Sequence, residues 1–307
     1  MNKYIDRILS LGIKSDAKII IPEVTDLRVK KALVKLQKLG FEVVDIKEMT
    51  HHKDKYLEYL NSLAFTKHWP KNNLVEYLDN PLNFSMSMVA CNDADCLIAG
   101  AITSSSEVIR AAIRVIGIKP KVNCVSSIFL MISPDGKRAF TFADCAVIPE
   151  PDSNQLVSIA AESANFHFLL TSETPKVAFL SFSTKGSANH YRVDKVKEAT
   201  KIFNNKYPDI VHDGELQVDA AVDPTINKIK VSNSPIKGDA NVLIFPNLDA
   251  GNIAYKLTQK LGGYTAFGPL LQGLKKPVHD LSRGCTIDDI VNVAAIAALQ
   301  KDIYANI

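Results

Sequence analysis

The chain has 307 residues, room for one large domain or two of ordinary size, and 47% hydrophobic against 22% charged residues marks a folded chain, not a disordered one. A net charge of +3 with no run of five Lys or Arg argues against nucleic acid or membrane as partner. Five cysteines (Cys91, Cys96, Cys124, Cys145, Cys285) form no CxxC or CxxH pattern, and MNKYIDRILSLGIKSDAK at the amino terminus holds no apolar stretch of signal-peptide length. Free thiols in a reducing, cytoplasmic setting are expected.

In chain order, residues 18–24 (KIIIPEV) predict a buried strand, 26–39 a helix that Gly40 can cap, and 41–46 (FEVVDI) a second strand. Helical spacing at 83–92 leads to a strand at 96–99, and at 105–116 to strands at 125–132 and 139–142. Then follow a helix at 154–170, a strand at 176–180, a helix at 194–204, a strand at 241–245, a helix at 249–261, a strand at 278–281 and a helix at 287–300. Continuous apolar strands alternating with amphipathic helices imply a mostly parallel sheet covered on both faces, so the fold class is α/β. SPDGK at 133–137 reads as a hairpin turn, an antiparallel excursion of the kind that often marks an added arm or a domain seam. The longest unbroken apolar run, 293–299, is far short of a membrane span.

The chain lacks GxGxxG, GxxxxGK[ST], HExxH and GxSxG, which disfavours a nicotinamide domain, a P-loop kinase, a zinc protease and a serine hydrolase. Four polar loops remain, each just after a strand, where α/β sheets bind ligands. SFSTKGSANH (181–190) offers hydroxyls, Lys185 and glycine-freed amides to an anion, or is an ordinary β–α connection. In FPNLDAGNIAYK (245–256), Asp249 is a candidate helix cap, and Asn252 and Lys256 share a face; the lysine either meets a ligand or is solvated. In GPLLQGLKKPVHDLSRGCTIDD (268–289), Arg283 suits two-pronged recognition of phosphate or carboxylate, or a surface ion pair. Thr286 and Asp289 have capping-box spacing. TSSSEVIRAA (103–112) places Arg110 in an apolar stripe, where it either snorkels to water or meets an anion.

Together these strings resemble the phosphate acetyltransferase (phosphotransacetylase) family. The resemblance runs through NPLNFSMSMV, DADCLIAGA, VSSIFLM, VAFLSFSTKGSA, DGELQVDAAV, ANVLIFPNLDAGNIAYK and GPLLQGLKKPVHDLSRG to Asp288 and Asp289, and covers nearly the whole chain. It implies reversible acetyl transfer between coenzyme A and phosphate by direct reaction in a ternary complex. It further implies a homodimer that uses no metal or other cofactor, with acetyl-CoA, phosphate and acetyl phosphate as its small-molecule partners. The implied fold is two three-layer α/β domains with a cleft between them, of the isocitrate/isopropylmalate dehydrogenase type. Their expected bounds are 1–121 with 273–307, and 122–272.

By the same resemblance, Ser282, Arg283, Asp289 and Arg110 are the catalytic residues, and Ser126, Ser127, Ser183, Thr184, Lys185, Asn252, Lys256 and Gln272 bind substrate. Arg110 and Arg283 would hold phosphate and balance charge on the carbonyl oxygen, Ser282 would orient the thiol or donate to that oxygen, and Asp289 would accept the thiol proton. A carboxylate of pKa about 4 facing a thiol of about 8.5 is short by roughly 6 kcal/mol, so the arginines are expected to lower the thiol.

One string departs from the family. Where an ELRKHKG-like sequence is usual, the chain reads NSLAFTKHW, with Ala64 at the arginine position and Lys67 and His68 as nearby candidates to replace it. Three other readings are a butyryl-transferring relative, a decarboxylating hydroxy-acid dehydrogenase of similar fold, and a homologue that binds without catalysing. The dehydrogenase would need an acidic metal cluster that the sequence does not show.

Overall fold

The computed structural model describes residues 2–301. Residues up to Tyr4 with Lys121–Phe267 form one compact unit, here the middle unit; Ile5–Pro120 with the chain from Gly268 onward form another, the terminal unit. Positions 1 and 302–307, the ends of the expected first domain, lie outside the described residues.

The terminal unit begins with α1 (Lys3–Lys14), β1 (Lys18–Ile20), α2 (Leu27–Leu39) and β2 (Glu42–Val43). β1 stops short of the expected residue 24 because Pro22 has no N–H to give a ladder. Asp26 caps α2 by accepting from the Arg28 and Val29 amides, and Gly40, at φ 97°, closes its other end in the left-handed conformation. The expected second strand shrinks to two residues because Asp45 caps a 3₁₀ helix at Ile46–His52. There follow α3 (Lys53–Ser62), α4 (Lys71–Asp79), α5 (Pro81–Ala90), β3 (Cys96–Ala99) and α6 (Ser105–Ala111). The expected helix at 105–116 is not α-helical throughout: Ala112–Ile116 is a π turn, ended by Gly117, whose N–H reaches the Ala112 carbonyl at 3.1 Å.

The middle unit contains β4 (Ser126–Ile132), β5 (Ala139–Ala143), α7 (Ser153–Thr171), β6 (Lys176–Leu180), α8 (Tyr191–Lys206) and β7 (Val211–Leu216). It continues with α9 (Val218–Val222), α10 (Pro224–Lys230), β8 (Val242–Ile244), α11 (Leu248–Lys260) and the start of β9 (Thr265–Gln272), whose residues from Gly268 on belong to the terminal unit. Its six-stranded sheet has the order β7-β6-β8-β5-β4-β9. The β6–β7, β6–β8 and β5–β8 pairs are parallel, whereas β4 and β5 are antiparallel across the 133–137 turn. That hairpin is therefore integral to the sheet and not an added arm. β4 and β5 are buried at every position, α7 packs along β4, β5, β6 and β8, and Phe129, Phe142, Leu243 and Phe245 share one core cluster. Asn247, not Asp249, caps α11, accepting from the Ala250 amide at 3.0 Å; the start two residues earlier leaves Asp249 in the first turn.

In the terminal unit β9 is followed by β10 (Val278–Asp280) and α12 (Ile287–Leu299), and β10 completes a four-stranded parallel sheet in the order β10-β3-β1-β2. All four residues of β3 are buried; since neighbouring side chains point to opposite faces, both faces of that strand are covered. α12 packs on α2, β3 and β1, and α5 packs on β3. Among the described residues no helix is long and apolar enough to cross a membrane.

Candidate active site

The DLSRG segment leaves the carboxyl end of β10 and turns at once into α12. The Leu281 amide reaches the Ala99 carbonyl at 2.8 Å, the Cys285 amide the Ser282 carbonyl at 2.8 Å, and the Gly284 amide the Ser282 Oγ at 3.2 Å. This tight turn leaves Ser282 and Arg283 exposed. The Arg283 guanidinium has no hydrogen bond or carboxylate partner among the described residues.

What steadies the turn is Arg28. Its Nη1 donates to the carbonyls of Arg283 (2.7 Å) and Cys285 (3.0 Å), and its Nη2 to the Ala101 carbonyl (3.0 Å) and Asp26 Oδ2 (2.8 Å). The hydrogen bond from Arg28 holds the Asp26 carboxyl down to about 2, so the pair stays charged at neutral pH. One planar guanidinium thus ties the loop after β3 to the turn after β10.

The loop after β3 is held by a second internal ion. Glu23, 7% exposed, accepts from four consecutive amides: Gly100 at 2.9 Å, Ala101 at 2.7 Å, Ile102 at 3.0 Å and Thr103 at 2.7 Å. Gly100 is required here, since φ is +112° and a Cβ would meet the Leu281 backbone at 2.7 Å as well as the Asp280 carboxylate. Asp280 is buried, with the Ser105 side chain and the Leu281 amide close to its carboxyl. Burial, with the Glu23 charge nearby, pushes its carboxyl up to about 6.

Arg110 is exposed on α6, whose amino end is fixed by the Ser104–Glu107 capping box. It lines a cavity of about 430 Å³ within the terminal unit, together with Asn83, Thr103, Glu107 and Arg114. Asp289 forms the capping box expected with Thr286, and both bonds fall on Oδ2, at 2.8 Å from the Thr286 amide and 2.9 Å from its hydroxyl. Oδ1 is left without a hydrogen bond among the described residues. Burial raises all five cysteine thiols, so none is a ready thiolate nucleophile.

A family model described as "Phosphate acetyl/butaryl transferase" matches residues 4–298. The chain belongs to this family. It is 40% identical to a phosphate acetyltransferase of Acetivibrio thermocellus over 97% of this chain and 98% of the relative. Among solved structures, a phosphotransacetylase from Streptococcus pyogenes is 34% identical with a TM-score of 0.88, covering 99% of each chain. The EutD phosphotransacetylase from Staphylococcus aureus is 36% identical with a TM-score of 0.83, over 97% of this chain and 99% of that one.

The remaining residues that the family resemblance singles out lie in more closed surroundings. In the 181–190 loop, Ser183 Oγ donates to Glu215 Oε1 at 2.9 Å, and Thr184 Oγ1 to Gln217 Oε1 at 3.2 Å. Lys185 pairs with Asp213 and donates to the Gly214 carbonyl at 2.7 Å, while the Gly186 amide reaches Glu215 Oε1 at 2.6 Å. Glu215 of the neighbouring strand thus accepts from both the Ser183 hydroxyl and the Gly186 amide of this loop. Ser127 likewise bonds Asp144, which also takes the Ala146, Val147 and Ile148 amides. Ser126 is buried in the middle unit and Gln272 in the terminal unit. Asn252 donates to the Cys145 carbonyl at 3.0 Å, and Lys256 is exposed, its ammonium 5.8 Å from the Tyr255 ring centre.

Within the terminal unit, then, Ser282 and Arg283 share one turn, Asp289 begins the helix that follows, and Arg110 follows the Glu23-bound loop that Arg28 ties to that turn. Sequence reasoning missed Arg28, Glu23 and Asp280. The one available signal was an acid (Glu23) inside a strand that was expected to be buried. Lys67 and His68, the candidates to replace the arginine absent at Ala64, are exposed and do not line the Arg110 cavity.

Proposed function

We propose that this chain is an acyltransferase of acetate metabolism that moves an acetyl group reversibly between coenzyme A and inorganic phosphate (acetyl-CoA + phosphate = CoA + acetyl phosphate). The observation that carries the reading is Arg283: an exposed guanidinium without an anionic partner, on a turn that Arg28 fixes from behind, in a chain that belongs to this family. A cation carried on a turn whose backbone is fixed binds a phosphoryl group and then stabilises the oxyanion that grows on the acetyl carbonyl. Arg110 supplies further positive charge. Ser282 donates to the carbonyl oxygen or orients the thiol.

In the direction that consumes acetyl phosphate, the thiol of coenzyme A attacks the carbonyl carbon and its proton passes to Asp289 Oδ1, the oxygen that the capping box leaves open. The C–S bond forms, the bond to the phosphate oxygen breaks, and phosphate departs toward the arginines. Of the other assigned substrate residues, Lys256 is the exposed cation without a hydrogen bond among the described residues. Ser126, Ser127, Ser183, Thr184, Lys185, Asn252 and Gln272 are assigned, with Lys256, to binding substrate. The reading has two domains of the isocitrate/isopropylmalate dehydrogenase type, with expected bounds 1–121 with 273–307 and 122–272, which differ from the two units at residues 2–4, 121 and 268–272. The reading also includes a cytoplasmic homodimer that works on small molecules without a cofactor.

The test is release of free thiol from acetyl-CoA that requires added phosphate or arsenate. No phosphate-dependent release from either acetyl-CoA or butyryl-CoA would refute the activity, and faster release from butyryl-CoA would move the acyl preference to the longer chain. The same assay tests metal independence. Among the described residues no three His, Cys, Asp or Glu side chains gather as a metal site. The rate is expected to stay within about twofold after EDTA treatment; loss that Mg²⁺ restores would overturn this.

A further inference from the structure

Arg110 and Arg114 lie four positions apart across the junction of α6 with the π turn, and both line the 430 Å³ cavity. Both are exposed, and neither guanidinium has a hydrogen bond or carboxylate partner among the described residues. Glu107 also lines the cavity, but its carboxylate is held in the capping box by the Ser104 amide and hydroxyl at 3.1 and 2.6 Å.

Arg114 is not a free surface arginine. Its guanidinium carbon sits 5.7 Å from the centre of the Phe65 ring. Phe65 packs edge-on with Trp69 and Tyr77, whose centroids are 5.6 and 5.9 Å away, and Trp69 and Tyr77 also meet. The segment that follows α3 therefore supplies, at Phe65, the ring on which an arginine from another element rests. Stacking lowers the freedom of the side chain while leaving its N–H groups available, which suits binding of an anion.

We infer that Arg114, with Arg110, forms a two-guanidinium site for a phosphoryl group of a substrate. The inference rests on the acyl-transfer reading above. The phosphoryl group belongs either to coenzyme A, which carries a ribose phosphate, or to inorganic phosphate.

The test compares wild-type protein with Arg114→Gln and Arg114→Lys in turnover and in calorimetric titration with coenzyme A, coenzyme A lacking its ribose phosphate, and inorganic phosphate. Arg114→Gln is expected to raise one KM and the matching Kd about ten- to a hundredfold, with kcat within about threefold. Arg114→Lys is expected to recover part of the loss. If the ribose phosphate is bound, the loss appears with coenzyme A and not with the analogue that lacks it. If inorganic phosphate is bound, the loss appears with phosphate alone. Unchanged KM and Kd in Arg114→Gln would overturn the site, as would equal losses in both variants accompanied by lowered melting temperatures. Because titration needs no turnover, weakened binding in a protein that transfers no acetyl group would sink the catalytic reading and leave this site standing.

Discussion

Arg283→Ala is expected to cut turnover about ten- to a few-hundredfold while leaving the melting temperature nearly unchanged. A charged hydrogen bond to a desolvated phosphoryl oxygen contributes about 1.5–3 kcal/mol, and 1.36 kcal/mol is a decade in rate. Arg283→Lys is expected to recover only part of the loss, since an ammonium cannot reproduce a planar two-pronged contact. The fold has little to lose: the side chain is exposed, and its backbone carbonyl, the part that Arg28 holds, remains in either variant. Rates and melting curves on purified protein decide the matter. Near-normal turnover would make Arg283 a surface residue, and a loss explained by unfolding would make it a structural one.

The largest stability effect is expected at Glu23. Its carboxylate is the acceptor for four successive amides, and the residues carrying two of them, Gly100 and Ala101, lie in buried surroundings. In Glu23→Ala those two N–H groups lose their partner where water cannot readily replace it, at about 1–3 kcal/mol each. The Ile102 and Thr103 amides are better placed for rescue by solvent. A total of about 3–5 kcal/mol corresponds to a melting point lower by roughly 5–8 °C in a chain of this size. Activity should fall as well, because the released loop leads directly into α6 and Arg110. Glu23→Gln keeps one oxygen and is expected to fall between the two. A Glu23→Ala protein that melts within a degree or two of wild type would mean that the loop does not depend on this carboxylate.

Much of this arrangement was legible in the sequence, but selectively. Thr286 and Asp289 announced the start of α12 because a capping box is a local pattern three residues long. The apolar strands β3, β4 and β6 announced themselves by composition. β7, read as VHDGEL, did not: it is polar at alternate positions, and Asp213 and Glu215 are buried only because the 181–190 loop folds onto them. Arg28 could not be found by spacing, since the carbonyls it holds lie 73 to 257 positions away. The loop of residues 181–190 reads either as suited to an anion or as an ordinary connection, and what the sequence could not reveal is that Glu215, outside that string, accepts from Ser183 and Gly186. A short pattern identifies what a loop can hold, whereas what fills it depends on distant chain.

The π turn at Ala112–Ile116 makes this short stretch unusually sensitive to length change. A π turn holds one more residue than the α turn it replaces, and each residue of an α-helix advances about 100° around the axis. Deleting one residue between Ala111 and Ile113 would let the helix run on as regular α, but it would swing Arg114 about a quarter-turn relative to Arg110 and carry one of them away from the cavity they share. Substitutions that keep the count would be far gentler than a deletion that leaves every charged side chain in place. Drift in this gene should therefore tolerate exchanges of one apolar residue for another here and purge single-codon losses.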